Sequence, residues 1–311
     1  MSTTRGGSAV LEAPARVARH DTRAWALPRN RSVRIGAAVL AVIVAIAILA
    51  PVLGTTDPAA IDPGARNRKP GTERVLRNDD GTTTTTTYRM GTDSLGRDVY
   101  SRVLYGSRVS LIVGISVALI SVVVGLVIGL VSGYMRRLDG IVMRIMDGLM
   151  SVPAILLAIA LVSVSKGASL RTVIVAIVIP EVPRVVRLVR SVVLSVREEP
   201  YVEAARALGA STPALLARHV LPNTIAPLVV QGTFVCASAI LVEAILSFLG
   251  VGIPPETPTW GNIMAEGRAL FRILPHNILF PSIFLAVTVL AVNVLGDGLR
   301  DLLDPRVRKQ I

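Results

Sequence analysis

Apolar residues in this chain come in long continuous runs separated by charged stretches, not in alternation with polar ones. A helix that crosses a bilayer needs about 20 apolar residues, because each adds about 1.5 Å across a hydrocarbon layer about 30 Å thick. Runs of this kind lie at 35–53, 109–134, 141–164, 170–183, 225–249 and 277–295. The fourth is the shortest and carries Glu181 and Arg184 at its end. Continuous runs argue against a β-barrel, whose strands alternate apolar and polar positions. The pattern predicts an all-α integral membrane protein with six transmembrane helices.

Composition strengthens that picture. Of 311 residues, 52% are hydrophobic and only 17% charged, whereas soluble domains carry about 25% charged residues. Aromatics make up 4%, so the apolar content is mostly aliphatic, as suits lipid-facing helices. The formal net charge of +12 would raise nucleic-acid binding in a soluble chain. Here the basic residues flank the apolar runs and set orientation instead. Arg5, Arg16, Arg19, Arg23, Arg29, Arg31 and Arg34 precede the first run, which keeps the tail 1–34 in the cytoplasm. Six crossings return the tail 301–311, with Arg306, Arg308 and Lys309, to the same side. The connections with Arg136, Arg137 and Arg144, and with Arg187, Arg190, Arg197, Arg206 and Arg218, also fall inside. The short connection with Lys166 and Arg171 falls outside, as does the long segment 54–106. That segment holds Asp79-Asp80-Gly81 and then the threonines Thr82 to Thr87, read as low-complexity filler in preference to an extended β-like stretch. The first run follows a long Arg-rich tail and ends Ala50-Pro51-Val52-Leu53, a poor cleavage site, so it reads as a retained span.

Little in the chain suggests chemistry. The lone Cys236 sits in an apolar run and reads as inert packing. His20, His219 and His276 have no zinc-ligand spacing. There is no phosphate-cradling Gly-x-x-x-x-Gly-Lys-Ser/Thr, and no set of nucleophile and base stands out, so the chain is not expected to be an enzyme.

The informative stretch is 200–222, between the fourth and fifth runs. Pro200 suits the first turn of a helix. Ala204, Ala205 and Leu208 are expected to make one small apolar face, against which another protein's surface can come close. Gly209 permits a sharp turn, and Thr212 with Pro213 should cap a second short helix. That helix should end at or before Leu221, since the residue preceding a proline avoids helical angles. Glu203-Ala204-Ala205, Gly209 and Leu221-Pro222 stand at the spacing of the EAA loop, and the chain resembles the permease subunits of bacterial ABC importers there. His219 stands where Ile is usual, as in the peptide-importer branch.

Two further stretches extend the resemblance over most of the chain from Arg89 onward. Gly91-Thr92-Asp93-Ser94-Leu95-Gly96-Arg97-Asp98 with Ser101-Arg102 resembles the signature before the second span of peptide-importer permeases. Glu243-Ala244, Ser247 to Gly250, Trp260-Gly261-Asn262, Ala265-Glu266-Gly267 and the end Gly296 to Asp301 with Leu303-Asp304-Pro305 resemble the rest. The chain departs from the pattern at Val182 and Val185, where aromatics are common, and at Tyr88-Arg89-Met90.

The resemblance implies a type I ABC importer permease fold, with a first helix at 35–53 and a transport core at 107–300. It implies the second, C-type permease of a dipeptide, oligopeptide or nickel system in a bacterial inner membrane. It also implies partners: a homologous permease, two cytoplasmic ATPase subunits that hold ATP and Mg, and an external solute-binding protein. No cofactor is expected on this chain itself. Glu203, Ala204, Ala205, Leu208, Gly209, His219, Leu221 and Pro222 are the expected coupling surface for the ATPases. Glu181, Glu243 and Asn293 are polar residues within spans, candidates for the translocation path or the permease interface. Arg184, Arg187 and Arg190 form an expected basic stripe at the inner mouth. The competing reading is a stand-alone secondary transporter or channel driven by an ion gradient, to which Glu181 and Glu243 would offer intramembrane carboxylates.

Overall fold

The computed structural model describes residues 30–77, 83–165 and 167–303. The arginines before Asn30, the Asp79-Asp80-Gly81 turn, Lys166 and the tail beyond Leu303 lie outside the described residues.

Ten helices and one hairpin make up the described chain. The helices are α1 (Arg31–Leu49), α2 (Val99–Tyr134), α3 (Arg136–Ser151), α4 (Ala154–Val164), α5 (Leu170–Val196), α6 (Pro200–Ala207), α7 (Thr212–Leu215), α8 (Leu221–Phe248), α9 (Trp260–Gly267) and α10 (His276–Leu303). Four of the membrane-length segments are apolar enough to cross a bilayer, and the bent pair α3–α4 makes up to five. Helix α5 is 27 residues long but carries Arg171, Glu181, Arg184 and Arg187, which sets it apart from the other spans. Exposed Ile, Leu and Val side chains cover the outward faces of α1, α2, α8 and α10, as a lipid-facing surface requires.

Helices α2 and α5 form the axis of the bundle. Gly125, Gly129 and Gly133 on α2 face Val185, Val189 and Val193 on α5, both series repeating every four residues. Rising numbers on one helix meet rising numbers on the other, so the two helices run parallel. A Cβ built on Gly129 would stand 2.6 Å from Val189 Cβ and 3.0 Å from the Val186 carbonyl oxygen. Small residues at a helix seam let backbones approach closely, which is how membrane helices gain packing contact without a hydrophobic drive. Gly129→Ala should therefore destabilise the protein by about 1–3 kcal/mol through overpacking. Gly140→Ala, on α3 with nothing within 4 Å of the added Cβ, is the matched control and should be neutral or better. Thermal unfolding of the two variants in detergent checks this; equal midpoints would refute the seam.

Val33 meets Gly298, and Gly36 meets Ala291 and Leu295, so α1 lies antiparallel on α10. Chain order and these contacts define two ends of the bundle. At one end lie α6, the C-terminal ends of α2, α5 and α10, and the start of α8. At the other lie α9, the hairpin, and the start of α2.

Several expectations need correction. The threonine run is not filler: β2 (Thr83–Tyr88) pairs antiparallel with β1 (Thr72–Arg77), Thr72 opposite Tyr88. β-branched threonines have stiff χ1 angles that suit a pleated strand. The second and sixth spans extend past their apolar runs, to Val99 and Leu303. The fourth does not stop at Pro183; α5 continues through Pro180 and Pro183 to Val196, its buried face packed on α2 and α8. The third run is not one straight span. It breaks at Val152-Pro153, and α3 meets α4 at an angle of 89°. Pro153 has no N–H to carry the helical ladder across this point, and the residue before it is extended.

Candidate functional site

The connection from α5 to α8 is built as the sequence suggested, with revisions. Pro200 opens α6. Its C-terminus closes in a double backbone bond: Gly209 N–H donates to Arg206 O at 3.0 Å, and Ala210 N–H to Ala205 O at 3.1 Å. This is the Schellman arrangement, and it places Gly209 at φ +82°, a conformation costly for any side chain. Val202, Leu215 and Val220 are buried and pin the loop to the bundle. The apolar face divides: Ala205 packs inward on the core, while Ala204 and Leu208 point out, Leu208 being 89% exposed. Glu203 is exposed beside them.

Two details differ from expectation. Ser211 occupies the cap position before α7 and makes no capping bond, so Thr212 is the first helical residue. The chain also does not break at Leu221. A π-turn over Leu216–Val220 leads straight into α8, whose first turn holds Pro222. His219 and Tyr201 rings stack obliquely with centroids 5.7 Å apart, and Asn223 Nδ2 donates to His219 O at 2.6 Å. His219 thus braces α6 against the start of α8.

The arginine stripe is not a free basic surface. Arg184 pairs with Glu181 at 3.3 Å, Arg187 with Asp147, and Arg190 with Asp139. Each arginine is matched by a carboxylate, the last two tying α5 to α3. Glu181 is 1% exposed and also accepts from Ser238 Oγ on α8 at 2.8 Å, joining α5 to α8. Glu243 is closed off from the surface of the subunit. It is fully buried within the chain, accepting from Ser247 Oγ at 2.8 Å and Ser110 Oγ at 3.4 Å. Asn293 is half-buried on α10. Glu181 and Glu243 share no hydrogen-bond partner among the described residues. Among the described residues no three His, Cys, Asp or Glu side chains converge to hold a metal ion.

At the α9 end lies a cluster of buried ion pairs. Arg97 Nε donates to Asp93 Oδ2 at 2.7 Å, and its Nη2 pairs with Glu266. Arg102 is fully buried and donates to Glu266 Oε1 at 3.3 Å, to the Pro255 carbonyl at 3.2 Å and to the Pro58 carbonyl at 3.4 Å. Desolvation opposes the charge on Arg97, yet the carboxylates of Asp93 and Glu266 hold it above its usual value. Trp260, also fully buried, donates from Nε1 to the Val103 carbonyl at 3.1 Å, while Thr259 and Asn262 form a capping box on α9. The two signatures, 91–102 and 258–267, are thus halves of one clamp joining α2 to α9. The signal available in sequence was the pairing of acidic and basic residues across the two motifs.

With this geometry in place, the comparisons are decisive. The model for the binding-protein-dependent transport system inner membrane component matches residues 121–309, the α5–α8 loop included. The chain belongs to this family. A second match, to the N-terminal transmembrane domain of oligopeptide transport permease C, covers residues 23–70 and so includes α1. The permease is 52% identical over 282 residues to the probable peptide ABC transporter permease protein y4tQ of Sinorhizobium fredii, covering 91% of each chain. It is 38% identical to the dipeptide transport system permease protein DppC of Alkalihalophilus pseudofirmus, over 91% of this chain and 88% of that one. It is 46% identical to the glutathione transport system permease protein GsiD of Escherichia coli, over 70% of this chain and 72% of that one. The permease is a multi-pass membrane subunit of an ABC transporter, and it works together with other ABC components.

Proposed function

We infer that this permease forms, with a homologous second permease, the path by which di- or oligopeptides enter the cell. Its α6 end faces the cytoplasm, both termini included, and its α9 end faces outward toward a solute-binding protein. Two cytoplasmic ATPase subunits bind ATP and Mg and dock on the α6 surface made by Glu203, Ala204 and Leu208, held in shape by the Gly209 turn. The observation that carries this reading is that surface. An 89% exposed leucine stands beside a carboxylate, on a short helix held firmly from behind by buried Val202, Leu215 and Val220, within the Glu203-Ala204-Ala205 and Gly209 spacing of the coupling loop. ATP binding closes the ATPase pair, and α6 passes that closure to α5 and α8, between which it is strung. Peptide cargo is supported by the relatives named for peptides, dipeptides and glutathione.

The test is uptake by the reconstituted transporter. Vesicles holding the permease pair and ATPases, supplied with binding protein, should accumulate a labelled dipeptide only with internal ATP. Accumulation driven by a proton gradient without ATP would overturn the reading.

A further inference from the structure

Helix α3 sits at the α6 end, joined through Met135 to the close of α2. Two ion pairs fix its direction: Asp139 with Arg190, and Asp147 with Arg187. The arginines are three residues apart, about 4.5 Å along α5, whereas the aspartates are eight apart, about 12 Å along α3. Helix α4 packs along α5 and α3 stands at 89° to α4, so α3 lies across α5. The 89° bend then turns α4 back along the bundle.

The surface of α3 falls into three strips. Met146 is buried, with Val142, Met143 and Leu149 packed beside it on the core. Leu138, Ile141 and Ile145 form an exposed apolar strip, Ile141 at 60% exposure. Arg137 and Arg144 are exposed on the adjoining strip and Arg136 is exposed at the start of the helix, and no carboxylate among the described residues pairs with them. An apolar strip edged by arginines, on a helix lying across the spans, is the arrangement of a helix in the membrane interface.

We propose that α3 is a binding surface for anionic phospholipid. Leu138, Ile141 and Ile145 enter the acyl layer at the α6 end, and Arg136, Arg137 and Arg144 hold headgroup phosphates. Guanidinium groups suit this task, since they meet phosphate oxygens in a bidentate fork. The assignment of the cytoplasmic leaflet rests on the proposed orientation; the lipid contact itself does not. The ionic match argues for lipid: cations beside an apolar strip, with no carboxylate partner among the described residues, fit an acidic headgroup above its own acyl chain.

The test uses full-length permease in nanodiscs of equimolar phosphatidylcholine and phosphatidylglycerol, with Ile145→Trp as reporter, its signal taken as the difference from the chain that has only Trp25 and Trp260, and bromine on the chains of one lipid at a time. Brominated phosphatidylglycerol should quench this tryptophan more strongly than brominated phosphatidylcholine. Adding R136Q, R137Q and R144Q should abolish the preference, with a loss of about five-fold in lipid selectivity per arginine. The triple lysine variant, which keeps the charge, should retain most of it. Equal quenching by the two lipids in the parent would overturn headgroup selection. An unquenched tryptophan, or loss of the partner permease in the triple glutamine variant, would assign the strip to a protein interface and end the proposal.

Discussion

Arg102→Leu is expected to be the most damaging single substitution at the α9 end. The side chain is fully buried and bridges Glu266, the Pro255 carbonyl and the Pro58 carbonyl, so its removal strands a carboxylate and two acceptors in a dry site. Breaking one partner of a buried ion pair costs about 3–5 kcal/mol, mostly through the charge left behind. Arg97 compensates in part, because it contacts both Asp93 and Glu266. Arg102→Lys restores charge but not the fork that reaches several acceptors, and should fall between leucine and the parent. Thermal unfolding of purified protein measures the series. A leucine variant as stable as the parent would show that the clamp contributes nothing.

The second large effect concerns the α6 surface. Leu208→Asp should leave the bundle untouched, since the side chain is 89% exposed and packs on nothing within the subunit. If that leucine is buried against an ATPase, its loss removes about 1.5–3 kcal/mol, weakening association ten- to hundred-fold. Glu203→Lys should weaken docking through reversed charge. Gly209→Val acts differently. Nothing lies within 4 Å of an added Cβ, so crowding is not the cause. A β-branched residue at φ +82° is strained by at least about 1 kcal/mol, which should relax by reorienting α6. All three variants should insert and purify normally while ATPase subunits no longer co-purify and dipeptide uptake falls. Undiminished uptake in all three would remove the coupling role.

Local features were legible in the sequence and long-range ones were not. Pro200 and Gly209 announced the bounds of α6 because helix ends obey nearest-neighbour rules. The bond from Ser247 to Glu243 was likewise legible, one helical turn away, whereas Ser110 lies 133 residues distant. The arginine stripe looked free because Asp139 and Asp147 stand 51 and 40 residues earlier, on a helix whose direction depends on the bend at Pro153. The seam glycines drew no attention, since only their opposite valines give the spacing meaning. The clamp was present in the quoted motifs but invisible as a contact, because Arg97 and Glu266 are 169 residues apart.

The glycine–valine seam also has a mechanical consequence. Interdigitated backbones with no long side chains between them have little room to shear, so α2 and α5 act as a single stiff strut. One end of the strut hangs from α6, and the other is bolted to α9 through Arg102 and Trp260. A displacement delivered at α6 is therefore not absorbed within the bundle. It emerges at the far mouth as leverage, with the 36 residues of α2, about 54 Å of helix, for an arm.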